Sequence, residues 1–480
     1  MSEQQYSPKL SNADLIPAKQ NWSWYNIFSF WMSDVHSMGG YIVAASLFAL
    51  GLASWQVFIA LIVGIMIVQV AANLVAKPSQ VAGVPYAVIA RQAFGVYGAN
   101  IPALIRGLIA VSWYGIQTWL ASNALMLVLL KFYPSLNPLT EISFVGLSLI
   151  GWICFAVMWI LQALVFWKGM QAIRVFIDWA GPLVYVVMFA LAAWLVAQVG
   201  WSNISFNLGS KSLSASEQVM QTLVAIALVV SYFSGPLLNF GDFSRYGKSM
   251  QQVRKGNFWG LPFNFIFFSL LTVVTVSATY SLFGKMVHDP LETVAMIDNT
   301  TAVIIGLLTL LTATIGINIV ANFVSAGFDF SNVAPQKLSF RSGGMIAAIG
   351  SVLITPWNLF NSPELIHYTL DVLAAFIGPL FGILIADFYF VKKQQVLVDD
   401  LFNDQPSGQY WYKNGFNPKA IAALAPAVVI GLVFTLVPTL QHFAPFNWFI
   451  GAFLAANFYY FLARPQKKAA LQPQIESLPK

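Results

Sequence analysis

The feature that most constrains this chain is a succession of apolar runs, each long enough to cross a bilayer and joined by short polar connections. No water reaches a backbone inside lipid, so each run must be an α-helix that closes its hydrogen bonds internally. About 20 residues make one crossing. The runs fall at roughly 27–50, 54–76, 101–130, 142–164, 172–199, 217–240, 260–284, 302–325, 343–360, 366–391, 419–439 and 443–463. The reading is an all-α integral membrane protein of about twelve spans. Composition agrees: 9% of residues are charged and the mean hydropathy is +0.71, whereas a soluble domain carries about 25% charged residues. No soluble domain is left over. The polar stretches are an N-terminal segment, 1–26, a loop at 392–418 and a tail at 464–480.

The basic residues orient the spans. With the N-terminus inside, 21 of the 24 Lys and Arg fall in cytoplasmic segments, and only Lys131, Lys211 and Lys285 fall outside. This asymmetry follows the positive-inside rule and places both termini in the cytoplasm of a cell whose inner (plasma) membrane holds the chain. The net charge of +6 is spread between spans and forms no face for nucleic acid. A single cysteine, Cys154, excludes an intramolecular disulfide. The polar N-terminus lacks the pattern of a cleaved signal, so the first run is a retained span. We expect a monomer.

Two spans carry helix breakers near their middles: Ser37-Met38-Gly39-Gly40 in the first and Ser234-Gly235-Pro236 in the sixth. They open two consecutive five-span sets, 27–199 and 217–391. Matched interruptions in two halves point to a transporter built from inverted repeats, and an odd number of spans per set forces the halves into opposite orientation. The eleventh and twelfth spans (419–463) lie outside the repeat. Residues 83–91 read as an interfacial segment along the cytoplasmic face, and the 392–418 loop as solvated.

Four His, one Cys and no HExxH, GxSxG or P-loop leave no metal cluster, nucleophile or nucleotide cradle. The expectation is not an enzyme, with no cofactor and with any transport driven by a gradient. Trp113 and Gln117 lie four apart in the third run and so share a helical face. An indole and an amide a turn apart at mid-membrane suit a flat ring with hydrogen-bonding edges, although both residue types also serve helix packing. Asn318 and Asn322 repeat the spacing in the eighth run and offer donors and acceptors to a heterocycle, or bonds to other helices. Asp34 and His36 are ionisable groups inside a span and are functional candidates for that reason; local pairing is the alternative for Asp34. Asp242 reads as a structural or gating partner.

Taken together, these residues make the chain resemble the nucleobase–cation symporters, a family that includes hydantoin, allantoin, cytosine and uracil permeases. The resemblance covers nearly the whole chain. It rests on Trp31-Met32 and the broken segment after it, Gly83-Val84-Pro85 with Arg91, and Phe94-Gly95-Val96-Tyr97-Gly98-Ala99. It continues through Trp113 to Trp119, Asp242-Phe243-Ser244-Arg245, Asn318 to Asn322, and Gly378-Pro379 with Ala386-Asp387. The resemblance implies a five-plus-five inverted-repeat fold with two further helices, and a planar heterocycle as substrate. It further implies a ring held by Trp113, with Gln117 and Asn322 at its edges and Ser37 nearby. Counting back from Asp242 puts a second aromatic at Phe233. For a coupling cation it implies backbone oxygens of Ser33, His36 and Ala313. The two hydroxyl side chains expected in the eighth span are replaced by Gly316 and Ile317, with Thr312 or Thr314 as substitutes. Sodium is a hard cation that wants oxygen ligands, as calcium and magnesium do. The expectation is therefore proton coupling through Asp34 or His36, or weak sodium coupling.

The leading reading is a symporter importing a nucleobase or a related ring such as uracil, cytosine, a purine, allantoin or a hydantoin. The rivals are an uncoupled facilitator for the same rings and an amino-acid transporter of the same fold.

Overall fold

The computed structural model describes residues 6–206, 213–285, 287, 290–296 and 299–464; Lys211 and the tail lysines Lys467, Lys468 and Lys480, counted above for orientation, lie outside them. Among the described residues, ten helices are long and apolar enough to cross a membrane, and two shorter apolar ones complete a set of twelve.

The first span is two helices, Trp24–Val35 and Met38–Ser46. The second is Ser54–Ala82, the third Asn100–Phe132, the fourth Leu149–Trp167 and the fifth Met170–Val199. The sixth is Ala215–Leu238 and the seventh runs over Met250–Phe283. The eighth runs from Thr300 to Val333 and the ninth is the short Phe340–Leu353. The tenth is Pro363–Ile385 with an extension to Val391, the eleventh Pro418–Leu436 and the twelfth Asn447–Ala463. The first, second, sixth and seventh spans pack as one group, and the third packs on the fourth, eighth and ninth. The twelfth packs along the tenth and the eleventh.

The second span shows how sequence sets these faces. Trp55, Ile59, Val63, Met66 and Val70 recur at three- and four-residue steps and are exposed, which makes a lipid-facing stripe. Val57, Leu61, Ile65, Val68 and Ala72 face inward and are buried. Lipid is as apolar as these side chains, so close packing rather than the hydrophobic effect holds the helices together. Gly64 permits it: a Cβ there would lie 2.7 Å from the Cβ of Val229 on the sixth span.

The break in the first span falls at His36–Ser37. Ser37 is extended (φ −95°, ψ 157°), and its Oγ accepts from the Gly40 N–H at 3.0 Å, capping the second half. The sixth span differs from expectation. Its helix continues through Ser234-Gly235-Pro236 to Leu238, and the chain turns only at Asn239–Phe240, before a short helical turn at Gly241–Ser244. A proline late in a helix removes one bond without ending the helix.

The expected interfacial segment, residues 83–91, is covered rather than open: Val84, Tyr86, Val88 and Arg91 are buried, with the N-terminal segment and the loop after the tenth span packed on it. The expectation of a solvated 392–418 loop is corrected, since Leu401, Phe402 and Tyr410 are buried. Arg91 ties these parts together. Its Nη1 donates to the Leu401 carbonyl at 2.9 Å, and its Nη2 donates to the Leu10 carbonyl at 2.7 Å and to Asn332 Oδ1 at 2.6 Å. The N-terminal segment is itself folded, with Leu10, Leu15 and Trp22 buried.

Arg91→Ala removes three charge-assisted bonds and leaves buried acceptors behind. We expect it to destabilise the protein by about 3–5 kcal/mol. Thermal unfolding in detergent, with protease nicking of residues 6–22, checks this; an unchanged midpoint would show that Arg91 holds nothing together.

Candidate functional site

A cavity between the first, third, sixth and eighth spans is lined by Asp34, Trp113, Gln117, Tyr232, Pro236, Ile317, Ala321 and Asn322. Helical geometry explains the set, because Trp113 with Gln117, Tyr232 with Pro236, and Ile317 with Ala321 are each one turn apart. The walls leave about 20 Å³ of room, space for about one water. A ring therefore enters only if side chains move.

Trp113 meets the Tyr232 ring edge-on, with centroids 5.4 Å apart and planes at 86°. On another side it meets Phe360, at 5.5 Å, from the connection between the ninth and tenth spans. The Tyr232 hydroxyl lies 3.1 Å from Ser37 Oγ. A Cβ on Gly39 would stand 2.7 Å from Gln117 Nε2 and 3.1 Å from the Tyr232 hydroxyl, so the bare backbone of the broken span forms part of the same wall. Gln117 Oε1 and both oxygens of Asp34 are buried without a hydrogen-bond partner. Asn322 donates its amide to Asn318 Oδ1 at 2.8 Å, which turns its own carbonyl oxygen away from that bond. The free groups around the cavity are thus mainly acceptors.

The residues singled out from sequence separate into three groups. Trp113, Gln117, Asn322 and Asp34 meet in the cavity, with Ser37 one hydrogen bond behind it. Asn318 lies outside the lining. Its amide donates to the Tyr114 carbonyl at 3.0 Å, to Thr118 Oγ1 at 3.0 Å and to Gln162 Oε1 at 2.5 Å, joining the third, fourth and eighth spans. Phe233 also lies outside. Its ring packs against Phe265 at 5.5 Å, and the neighbouring Tyr232 lines the cavity.

The coupling candidates are spread along the first span. Both ring nitrogens of His36 are engaged, Nδ1 with the Tyr41 hydroxyl at 2.9 Å and Nε2 with Asn264 Oδ1 at 3.2 Å. That network faces the fifth and seventh spans, where Tyr185 covers the imidazole at 4.1 Å. Ser33 Oγ is buried without a partner and faces Gly316, whose Cβ would come within 3.9 Å of it. Ala313 and Thr314 are buried on the eighth span. Ile317 lines the cavity and, like Gly316, brings no side-chain oxygen.

Sequence reasoning missed Tyr232 and Arg106. Tyr232 is four residues before Pro236, and that spacing was the available signal. Arg106 was counted as a loop charge but lies within the third span, fully buried. Its Nε donates to the Gly235 carbonyl at 3.3 Å and its Nη2 to the Ala321 carbonyl at 2.9 Å. Ala321 sits in a π-helical stretch, Asn318–Val324; such stretches interrupt the regular ladder and recur at functional sites. Arg106 therefore ties the sixth and eighth spans directly behind Pro236 and Ala321.

The chain belongs to the family of permeases for cytosine/purines, uracil, thiamine and allantoin, whose model matches residues 16–459. It is 33% identical to an allantoin permease of Bacillus subtilis over 472 residues, covering 98% of this chain and 96% of that one. It is 31% identical to a purine-uracil permease of Arabidopsis thaliana, covering 89% of this chain and 72% of that protein. In structure it resembles Mhp1, a nucleobase-cation-symport-1 family transporter solved in a closed conformation with bromovinylhydantoin bound. That likeness has a TM-score of 0.76 at 20% identity and covers 94% of each chain. A sodium-coupled sialic acid symporter shares the fold at a TM-score of 0.63 and 11% identity, over 95% of this chain and 92% of that one. The chain is thus a membrane transporter of this permease family, with the five-plus-five fold and two added helices.

Gly39→Ala is expected to push Gln117 aside. Overpacking of this kind costs about 1–3 kcal/mol, so ligand affinity should fall about five- to a hundredfold while the protein stays folded. Uptake kinetics with a thermal-stability control check this. An unchanged KM would place Gly39 outside the site.

Proposed function

We propose that this protein is a secondary active permease importing a planar heterocycle rich in N–H donors, of the nucleobase or ureide type. The observation that carries the reading is the pairing of the Trp113 indole with uncommitted acceptors on Gln117 and Asp34, in a cavity that Asn322 also lines. Buried acceptors reject a ligand that leaves them unpaired, so a ring presenting several N–H groups fits better than one presenting carbonyls. Allantoin and cytosine are richer in such donors than uracil. The family and the similarity to an allantoin permease support the same class. A flat ring with no carboxylate also sets this reading apart from amino-acid transport.

The driving cation in this proposal is the proton, and Asp34 is its carrier. Asp34 lines the cavity with both oxygens unpartnered, whereas His36 is saturated in a separate network. Gly316 and Ile317 supply no side-chain oxygen where a hard cation such as sodium would want one. The proposed orientation keeps both termini in the cytoplasm of a cell bounded by this plasma membrane, as the distribution of basic residues favours.

Uptake of labelled allantoin, cytosine, uracil, adenine and hydantoin into vesicles with separately imposed proton and sodium gradients tests the reading. Donor-rich rings should accumulate on a proton gradient alone. Sodium-stimulated uptake at a fixed proton gradient would overturn the choice of ion. Trp113→Ala should lower substrate affinity by about 1–3 kcal/mol, the worth of a base stacked on an aromatic ring; retained affinity would remove Trp113 from the site. Asp34→Asn should abolish proton-driven accumulation yet leave exchange of internal for external substrate. Undiminished accumulation in this variant would exclude Asp34 as carrier.

A further inference from the structure

A second and larger cavity, about 570 Å³, opens on the face that carries the N-terminal segment. It lies among that segment, the turn between the fourth and fifth spans, the end of the eighth span and the start of the ninth. Its volume falls within the range of about 300–1,000 Å³ typical of small-molecule sites. Three cations line it, Lys19, Arg245 and Arg341, against one carboxylate, Asp14, a net of +2. None of the three cations has a carboxylate within 4.0 Å among the described residues.

Arg245 is the central observation. The residue is only 3% exposed. Its guanidinium lies between the rings of Tyr246 and Phe328, 4.8 Å and 4.9 Å from their centroids. Nη2 donates to the Asp14 carbonyl at 3.0 Å, but Nε and Nη1 are buried without a partner. A guanidinium held by stacking in the wall of a cavity, with two donors that no protein group takes, is suited to an oxyanion. The ninth span begins at the same place. The Phe340 N–H at its first turn points to an anion already, donating to Asp14 Oδ2 at 3.0 Å. Asp14 is thereby engaged, and the positive end of this 14-residue helix adds to the field of the three cations.

We propose that this cavity binds a phosphate-bearing anion, with Arg245 as the buried anchor and Lys19 and Arg341 as exposed partners. The volume exceeds what one phosphate fills, and aromatic rings line the remainder, so a phosphate ester fits better than the bare ion. Phosphate chemistry of this kind reaches the site either as a soluble ester or as the headgroup of an anionic lipid. The ligand bridges the N-terminal segment, the end of the sixth span and the start of the ninth. The site is separate from the Trp113 cavity and stands whether or not the proposed substrate class is right.

The test uses the purified full chain in uncharged detergent and in lipid nanodiscs. Binding is measured by thermophoresis with orthophosphate, adenosine monophosphate and, in nanodiscs, phosphatidylglycerol against phosphatidylcholine. At least one probe should bind saturably, with an affinity that weakens as salt screens the charges. The variant Lys19→Gln/Arg341→Gln alters two exposed side chains and should fold normally. It should weaken binding up to about tenfold, as expected for two partly exposed ion pairs. Binding of adenosine monophosphate or orthophosphate identifies a soluble ligand, and a response to phosphatidylglycerol alone identifies a lipid headgroup; either supports the proposal. Absence of saturable binding by every probe overturns it, as does an affinity unchanged in the double variant. Competition by allantoin or cytosine would move the binding to the central cavity and overturn it equally.

Discussion

The opened turn of the first span is the constraint on which the rest of the site depends. A helix broken inside a membrane exposes amide and carbonyl groups that lipid cannot satisfy. Here Ser37 caps the second half through Gly40, and its hydroxyl also reaches Tyr232. The absent side chain at Gly39 lets Gln117 and the Tyr232 hydroxyl close on the bare backbone. Gln117 and Tyr232, which close on the break, therefore also line the cavity. Under the proposed reading, a ligand that displaces Gln117 or Tyr232 would act at once on the conformation of the first span, which would give binding a direct mechanical route into the fold.

Arg106 provides the complementary tie. It is buried, and it donates to carbonyls of the sixth and eighth spans rather than to a carboxylate. Behind it Asn239 gives its amide to Asp242 Oδ2 at 3.1 Å and to Asp329 Oδ2 at 3.4 Å, while Asp242 Oδ1 accepts from the Tyr86 N–H at 2.8 Å. No contact ion pair joins Arg106 to these acids among the described residues. Truncating one member of such a buried set leaves an uncompensated polar group in a medium that punishes it. The set is thus a firm joint between the third, sixth and eighth spans, placed between the cavity and the face that carries the N-terminal segment.

How far this was legible in the sequence follows from which forces act locally. The spans were legible because lipid permits only helices and because their apolar runs are long. Trp113 and Gln117 were legible because they stand on an uninterrupted helix, where a spacing of four fixes a shared face. Phe233 came from the resemblance rather than from helical spacing, and its ring packs toward Phe265 while Tyr232, one residue and about 100° away, lines the cavity. Asn318 has the right spacing but is spent on three acceptors in neighbouring spans, which only tertiary structure reveals. Arg106 lies inside the 101–130 run but was counted with the cytoplasmic charges because the run begins only five residues earlier. The 83–91 segment reads as interfacial and the 392–418 loop as solvated because their burial results from packing against each other and the N-terminal segment.

Recognition and coupling then share one wall under the proposed reading. Asp34 lines the cavity together with Gln117 and Asn322, so its proton occupancy changes what the cavity offers. As a carboxylate it presents only acceptors; as an acid it presents one donor and keeps acceptor capacity. A ring edge that sets one carbonyl among several N–H groups, as a ureide does, matches the acid, because each of its groups then finds a complement. Proton and substrate would favour each other's binding by the same free energy, which linkage requires of any two ligands that share a site's state. The empty place of the hydroxyl side chains in the eighth span fits this arrangement, since a cavity that takes its charge from a proton has no need of a separate cage of oxygen ligands.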